Sequence, residues 1–150
     1  MTRIKLAAAA AIALAAMAQA QNQALAQTVA QTLAPHPGEL IKQPGFREAW
    51  AAAIKGEKFE RRDSWIPRLA GPGSGDFWTD PTGKQWIEGN SCQPHNCSDN
   101  HVVVLIDPAT KKMFATQRTR GQTSASQRYF GKPDATIRRL LNARVMANFP

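Results

Sequence analysis

The chain holds two cysteines, separated by four residues that include a proline and a histidine: Ser91-Cys92-Gln93-Pro94-His95-Asn96-Cys97. Two thiols and an imidazole so close together admit three chemistries: redox exchange, metal ligation, or presentation of the imidazole on a disulfide-closed ring. Redox exchange calls for two residues between the cysteines and a thioredoxin-like pattern around them, and neither is present. A metal site needs more ligands than Cys92, His95 and Cys97, and pairing the thiols would remove two of those. The ring is the reading that remains. It would add about 2 kcal/mol by chain entropy, too little to hold a whole domain. Its larger effect is local, a stiff loop narrowed further by Pro94 that shows His95 in one orientation.

The pairing depends on compartment, and the start of the chain sets that. Arg3 and Lys5 precede an alanine-rich apolar stretch from Leu6 to Met17, followed by small-residue cleavage patterns such as Ala18-Gln19-Ala20 and Ala24-Leu25-Ala26. This reads as a secretory signal over residues 1–20, with cleavage as late as 26. The exported chain would meet an oxidising environment in which Cys92 and Cys97 pair. No later segment approaches about 18 apolar residues, so no membrane span is expected. Residues 21–37 read as a Gln/Ala-rich lead-in, and 38–150 as one domain.

Charge is unevenly spread. The formal net charge is +8. Residues 21–100 hold 8 Lys/Arg against 9 Asp/Glu, whereas residues 101–150 hold 9 against 2. The cysteine loop therefore sits in a near-neutral stretch, and the basic surface belongs to the last third. Such a surface suits anionic envelope polymers; nucleic acid is a poor partner for an exported protein.

The elements that must position the loop follow from pattern. Phe46, Trp50, Ala53 and Ile54 recur at helical spacing, which predicts a helix over 46–57. Trp65-Ile66-Pro67 begins a short extended piece that ends at the breaker-rich Gly71–Gly75. Strands are predicted at 77–79 and 85–89 across an Asp80-Pro81-Thr82-Gly83 turn. The loop, 90–100, leads into His101–Ile106, an almost continuous apolar run suited to a strand buried on both faces. Strands at 112–117 and 127–130 flank a polar loop over 118–126. A helix from Pro133-Asp134 carries Ile137, Leu140, Leu141 and Val145 on one face, with Arg138, Arg139 and Arg144 exposed. The expected fold class is α+β, an antiparallel sheet flanked by helices with a protruding disulfide loop.

Strand, Cys-x-Pro-His-x-Cys, apolar strand and hairpin together resemble the Ivy family, the inhibitors of vertebrate lysozyme. The resemblance runs from about Trp65 to Thr116, and Cys92, Pro94, His95 and Cys97 are the matching positions. It implies a periplasmic inhibitor, not an enzyme, which is sometimes a homodimer. It also implies a rigid loop that plugs the active-site cleft of a C-type lysozyme, with His95 at the catalytic carboxylates. Gln93 and Asn96 stand where the family usually has Lys and Asp, which removes one charge of each sign beside His95. A related peptidoglycan hydrolase of the same cell is then an alternative target.

On this reading Ser91, Gln93, Pro94, His95 and Asn96 contact the target. No catalytic residue, metal or cofactor is expected, and Gly73-Ser74-Gly75 lacks the strand-to-helix elbow of a serine hydrolase. His36 reads as inert and His101 as a packing or surface residue. Trp78 and Trp86 suit a sugar-stacking platform, although tryptophans in short strands more often belong to a core. The rival reading is a non-inhibitory module that binds the envelope through its basic last third.

Overall fold

The structure, a computed structural model, describes residues 35–121 and 125–149. The expected signal peptide lies outside the described residues. Five strands form one antiparallel meander in the order β1-β2-β3-β4-β5: β1 Gly73–Thr79, β2 Gln85–Cys92, β3 Asn100–Ile106, β4 Met113–Arg120 and β5 Ala125–Phe130. Among the described residues three α-helices accompany it: α1 Pro37–Leu40, α2 Phe46–Ala53 and α3 Ala135–Asn148.

Strand β3 is buried along its whole length, as its unbroken apolar run predicts. Alternation then divides its side chains between two cores. Val102, Val104 and Ile106 face Leu40, Trp50, Trp65, Ile66, Leu69 and Phe130, the side covered by α1 and α2. Val103 and Leu105 face Trp86, Leu141 and Val145, the side covered by α3. The sheet is thus sandwiched, and each fully buried Leu or Ile contributes about 1.5–3 kcal/mol.

Several sequence expectations are corrected. Residues 65–68 form a 3₁₀ turn (Ile66–Arg68) instead of an extended piece, since Pro67 sits in the first turn of a short helix without loss. Gly73, Ser74 and Gly75 are part of β1, paired with Ser91, Asn90 and Gly89. The glycines read as breakers because they lack side chains, and that is what the strand needs. A Cβ at Gly73 would stand 2.0 Å from the Asn90 carbonyl oxygen. The polar stretch 118–126 is mostly sheet, with Arg118, Thr119 and Arg120 paired to Gln127, Ser126 and Ala125. Helix α2 ends at Ala53, short of the expected 57.

The folded part also begins before residue 38. His36 caps α1, accepting from Gly38 N–H at 3.0 Å through Nδ1, which leaves Nε2 to donate to the Gly71 carbonyl at 3.0 Å. His36 is therefore a structural clasp, not an inert residue. Arg144 is not on an open face: it pairs with Glu88, which is 4% exposed and also accepts from Asn148 Nδ2. That pair ties α3 to β2. Trp86 is core, and its indole donates to Asp80 Oδ2 at 3.0 Å. The Thr82 hydroxyl and this indole, joined by backbone N–H groups, hold the Asp80 carboxyl down to about 2 and so fix the β1–β2 turn as an anion-centred knot.

Candidate functional site

Strands β2 and β3 are two ends of one chain reversal, and the cysteine loop is that reversal. Cys92 and Cys97 are joined by a disulfide, with Cα atoms 4.8 Å apart. Inside the ring, Asn96 N–H donates to the Gln93 carbonyl at 2.9 Å, closing a four-residue turn. Pro94 takes the second place of that turn, where its fixed φ fits. His95 takes the third with φ 65°, in the left-handed region. This is the pattern of a type II turn, whose third place ordinarily belongs to glycine. A histidine there costs about 1–3 kcal/mol and persists only where the surroundings over-determine it.

Those surroundings are visible at the loop's base. Asp63, Asn100 and Gln117 are almost wholly buried. The Asp63 carboxylate accepts from Asn100 Nδ2 at 3.0 Å and from Gln117 Nε2 at 2.9 Å. Gln117 Nε2 also donates to Asn100 Oδ1 at 2.9 Å. Asn100 Nδ2 donates in turn to Gln93 Oε1 at 3.1 Å, and Gln93 N–H donates to the Asn100 carbonyl at 2.8 Å. Gln93 is thus the link through which a buried polar cluster grips the ring. On the other flank, Cys92 N–H donates to the Pro72 carbonyl at 2.9 Å. Gly71 lies so close to this stem that a Cβ would stand 1.8 Å from the Cys92 carbonyl oxygen. Strand β4 closes the third side, with Arg120 N–H donating to the Asp99 carbonyl at 2.6 Å.

The five expected contact residues separate into three kinds. Pro94 and His95 are exposed at the tip. Gln93 and Asn96 are half-buried and joined to one another by Asn96 Nδ2 and Gln93 Oε1 at 3.4 Å. Ser91 is 0% exposed, with its hydroxyl donating to the Leu69 carbonyl at 3.4 Å. It lies on β2 with its side chain in the interior, so it serves the stem instead of offering a surface contact. Asp63, Asn100 and Gln117 escaped sequence reading, since they lie 17 to 54 positions apart and only the sheet register brings them together.

His101 pairs directly with Cys92 across β2 and β3. It is 3% exposed, its ring stacks on Phe149 at 3.6 Å, and neither ring nitrogen has a protein partner. Burial, then the positive charges of Arg118 and Arg120, pushes this imidazole down to about 4. It is a neutral packing group under the loop stem. Trp78 is half-buried beneath the Arg144 guanidinium, 5.1 Å from the ring centroid. Its ring face is therefore occupied, and the two tryptophans do not form an open stacking platform.

Comparison with known proteins shows what the chain is similar to. A family model described as "Inhibitor of vertebrate lysozyme (Ivy)" matches residues 45–144, from α2 through the five strands and into α3. A Pseudomonas aeruginosa protein named "Inhibitor of vertebrate lysozyme" is 28% identical, covering 71% of this chain and 75% of that protein. An uncharacterised Yersinia pestis protein is 27% identical, with 79% and 82% covered. A second P. aeruginosa protein, also uncharacterised, is 22% identical over 69% and 72%.

Proposed function

The chain belongs to the Ivy family of inhibitors of vertebrate lysozyme, and from that premise we propose that it is a periplasmic inhibitor whose disulfide loop enters a lysozyme cleft with His95 foremost. The observation that carries this reading is the left-handed His95 at the tip of a doubly fastened ring. A conformation so costly to hold is kept where it places a side chain for use.

The chemistry is direct. A retaining glycosidase carries two carboxyl groups about 5 Å apart, one to donate a proton and one to oppose developing positive charge. An imidazole has a nitrogen on each side of its ring, so one His95 side chain between two carboxyl groups hydrogen-bonds to both and displaces the sugar. Little ordering entropy is lost on insertion, because the disulfide, Pro94 and the buried cluster behind Gln93 have already fixed the ring.

Inhibition assays and calorimetry of wild type and His95→Ala against a panel of lysozymes test this. The panel includes a C-type lysozyme and peptidoglycan-cleaving enzymes of the producing cell. Removing a hydrogen-bonded group from a desolvated centre costs about 2–5 kcal/mol, so affinity should fall roughly 30- to several-thousand-fold. Equal affinity of the two proteins would remove His95 from the centre of the interface. Binding confined to the cell's own hydrolases would keep the loop mechanism and change its target.

A further inference from the structure

A second feature lies at the other end of the sheet. Met113 pairs with Ile106, six residues along β3 from Asn100 and hence about 20 Å from the loop stem. Beside it opens a cleft of about 900 Å³ between the end of α2, the β3–β4 turn and the start of α3. Lys55, Lys111, Lys112, Lys132 and Arg138 line it, with Glu57 the one acidic residue.

Among the described residues none of these five cations forms a salt bridge, and the nearby carboxylates are committed elsewhere. Glu57 pairs with Arg128 at 3.7 Å, Asp107 with Lys84 at 2.8 Å, and Asp134 caps α3 by accepting from Ile137 N–H. Two of the cations are also held in backbone conformations that disfavour them. Lys111 has φ 57° and Lys132 has φ 52°, places where glycine or asparagine sits at lower cost. The Lys111 ammonium moreover lies against Gly45, at the N-terminal end of α2, where a cation opposes the helix dipole. Lys111 Nζ lies 5.2 Å from the Phe46 ring centroid and Lys112 Nζ 6.0 Å from that of Phe114. These weak contacts leave both ammonium groups without a carboxylate partner among the described residues, and the five cations converge on one concavity.

We infer that this cleft is a binding site for a compact polyphosphate-bearing anion, distinct from the inhibitory loop. Four lysines present compact point charges on flexible stems, which suits phosphate oxygens spread around a multiply charged ligand better than a single planar carboxylate. The arginine is already engaged, with its Nε donating to the Pro133 carbonyl at 3.2 Å and its guanidinium over the Tyr129 ring. The lysines are what remain for the ligand.

Calorimetry of the purified protein with tripolyphosphate, fructose 1,6-bisphosphate and polyglutamate tests the site. Saturable one-site binding is expected for at least one phosphate compound, and whichever binds tighter assigns a linear polyphosphate or a phosphorylated sugar as the source. Lys111→Asn with Lys132→Asn should lower that affinity at least tenfold, while melting temperature stays level or rises because asparagine tolerates the left-handed backbone. Arg61→Gln with Arg139→Gln removes the same charge elsewhere and should change affinity less than twofold. Lysozyme inhibition should be unchanged in both double variants, so failure of this site and failure of the loop mechanism are read separately. An equal loss in the control variant, or polyglutamate binding as tightly as the phosphates, would reduce the cleft to diffuse charge. The absence of saturable binding to either phosphate compound would overturn the inference outright.

Discussion

At the scale of single residues, His95 joins two requirements that a substitution can separate. Its backbone is left-handed, which favours Asn or Gly, and its side chain is the proposed inhibitory group. His95→Asn should therefore leave stability unchanged or raise it by up to about 1 kcal/mol, while inhibition falls as steeply as for His95→Ala. Thermal denaturation beside an inhibition assay checks this; a variant that is both weaker and clearly less stable would mean that the imidazole supports the loop instead of the interface. The motif itself, with the tip order Pro94 then His95, was legible in the sequence. The buried cluster of Asp63, Asn100 and Gln117 was not. Each of these is an ordinary polar residue until β3 and β4 bring their carboxylate and amides within hydrogen-bond distance.

Among the elements, α3 and the loop stem share one contact. Phe149, just past the end of α3, stacks on His101, and His101 lies across from Cys92. The folded imidazole titrates at about 4 and an ordinary one at 6.5, so between those values the unfolded chain binds a proton that the folded chain does not. Stability conferred by this group is complete above about pH 6.5 and declines as pH falls towards 4, by about 3 kcal/mol at most. His101→Phe keeps a ring against Phe149 and should flatten that slope. Denaturant unfolding of both proteins at intervals between pH 4 and 7 measures the difference, and parallel curves would show that His101 is not the group responsible. The apolar face expected for α3 packs on the sheet, with Leu141 and Val145 buried and Ile137 and Leu140 partly buried against them. Its arginine face was misread at Arg144, because a helix seen alone gives no hint that a buried glutamate waits on the sheet beneath.

For the whole molecule, charge is divided unevenly along the chain. Residues 21–100, which include the loop, are near neutral in sequence; five cations line the far cleft, while Arg118 and Arg120 of β4 stand beside the loop stem. The formal net charge of +8, which falls to +6 once the expected signal removes Arg3 and Lys5, repels a basic lysozyme at low ionic strength, where the screening length is about 30 Å, and much less at physiological salt, where it is about 8 Å. Association with a basic lysozyme should then quicken modestly, by about two- to fivefold, between 10 and 150 mM salt, while polyphosphate binding weakens over the same range. Stopped-flow association rates at several salt concentrations decide the first half. A rate that drops steeply with salt would reveal an acidic steering surface that this charge distribution does not contain.

The amino-acid sequence alone determined the ring and what it presents, because two cysteines, one proline and one histidine within a few positions leave few physical alternatives. It determined the buried central strand, whose apolar run has nowhere else to go, and the separation of charge along the chain. Tertiary structure decided which of the five expected contact residues face outward: Ser91 is turned to the interior by strand register, and the half-buried Gln93 is engaged by a cluster drawn from distant positions. It also decided that glycines 71 and 73 are packing necessities, and that cations from the segment after α2, the β3–β4 turn, the segment before α3 and α3 itself share one cleft. Spacing along the chain encodes contacts within a turn or a helix. Contacts between strands and across the sheet are set by register, which no local pattern contains.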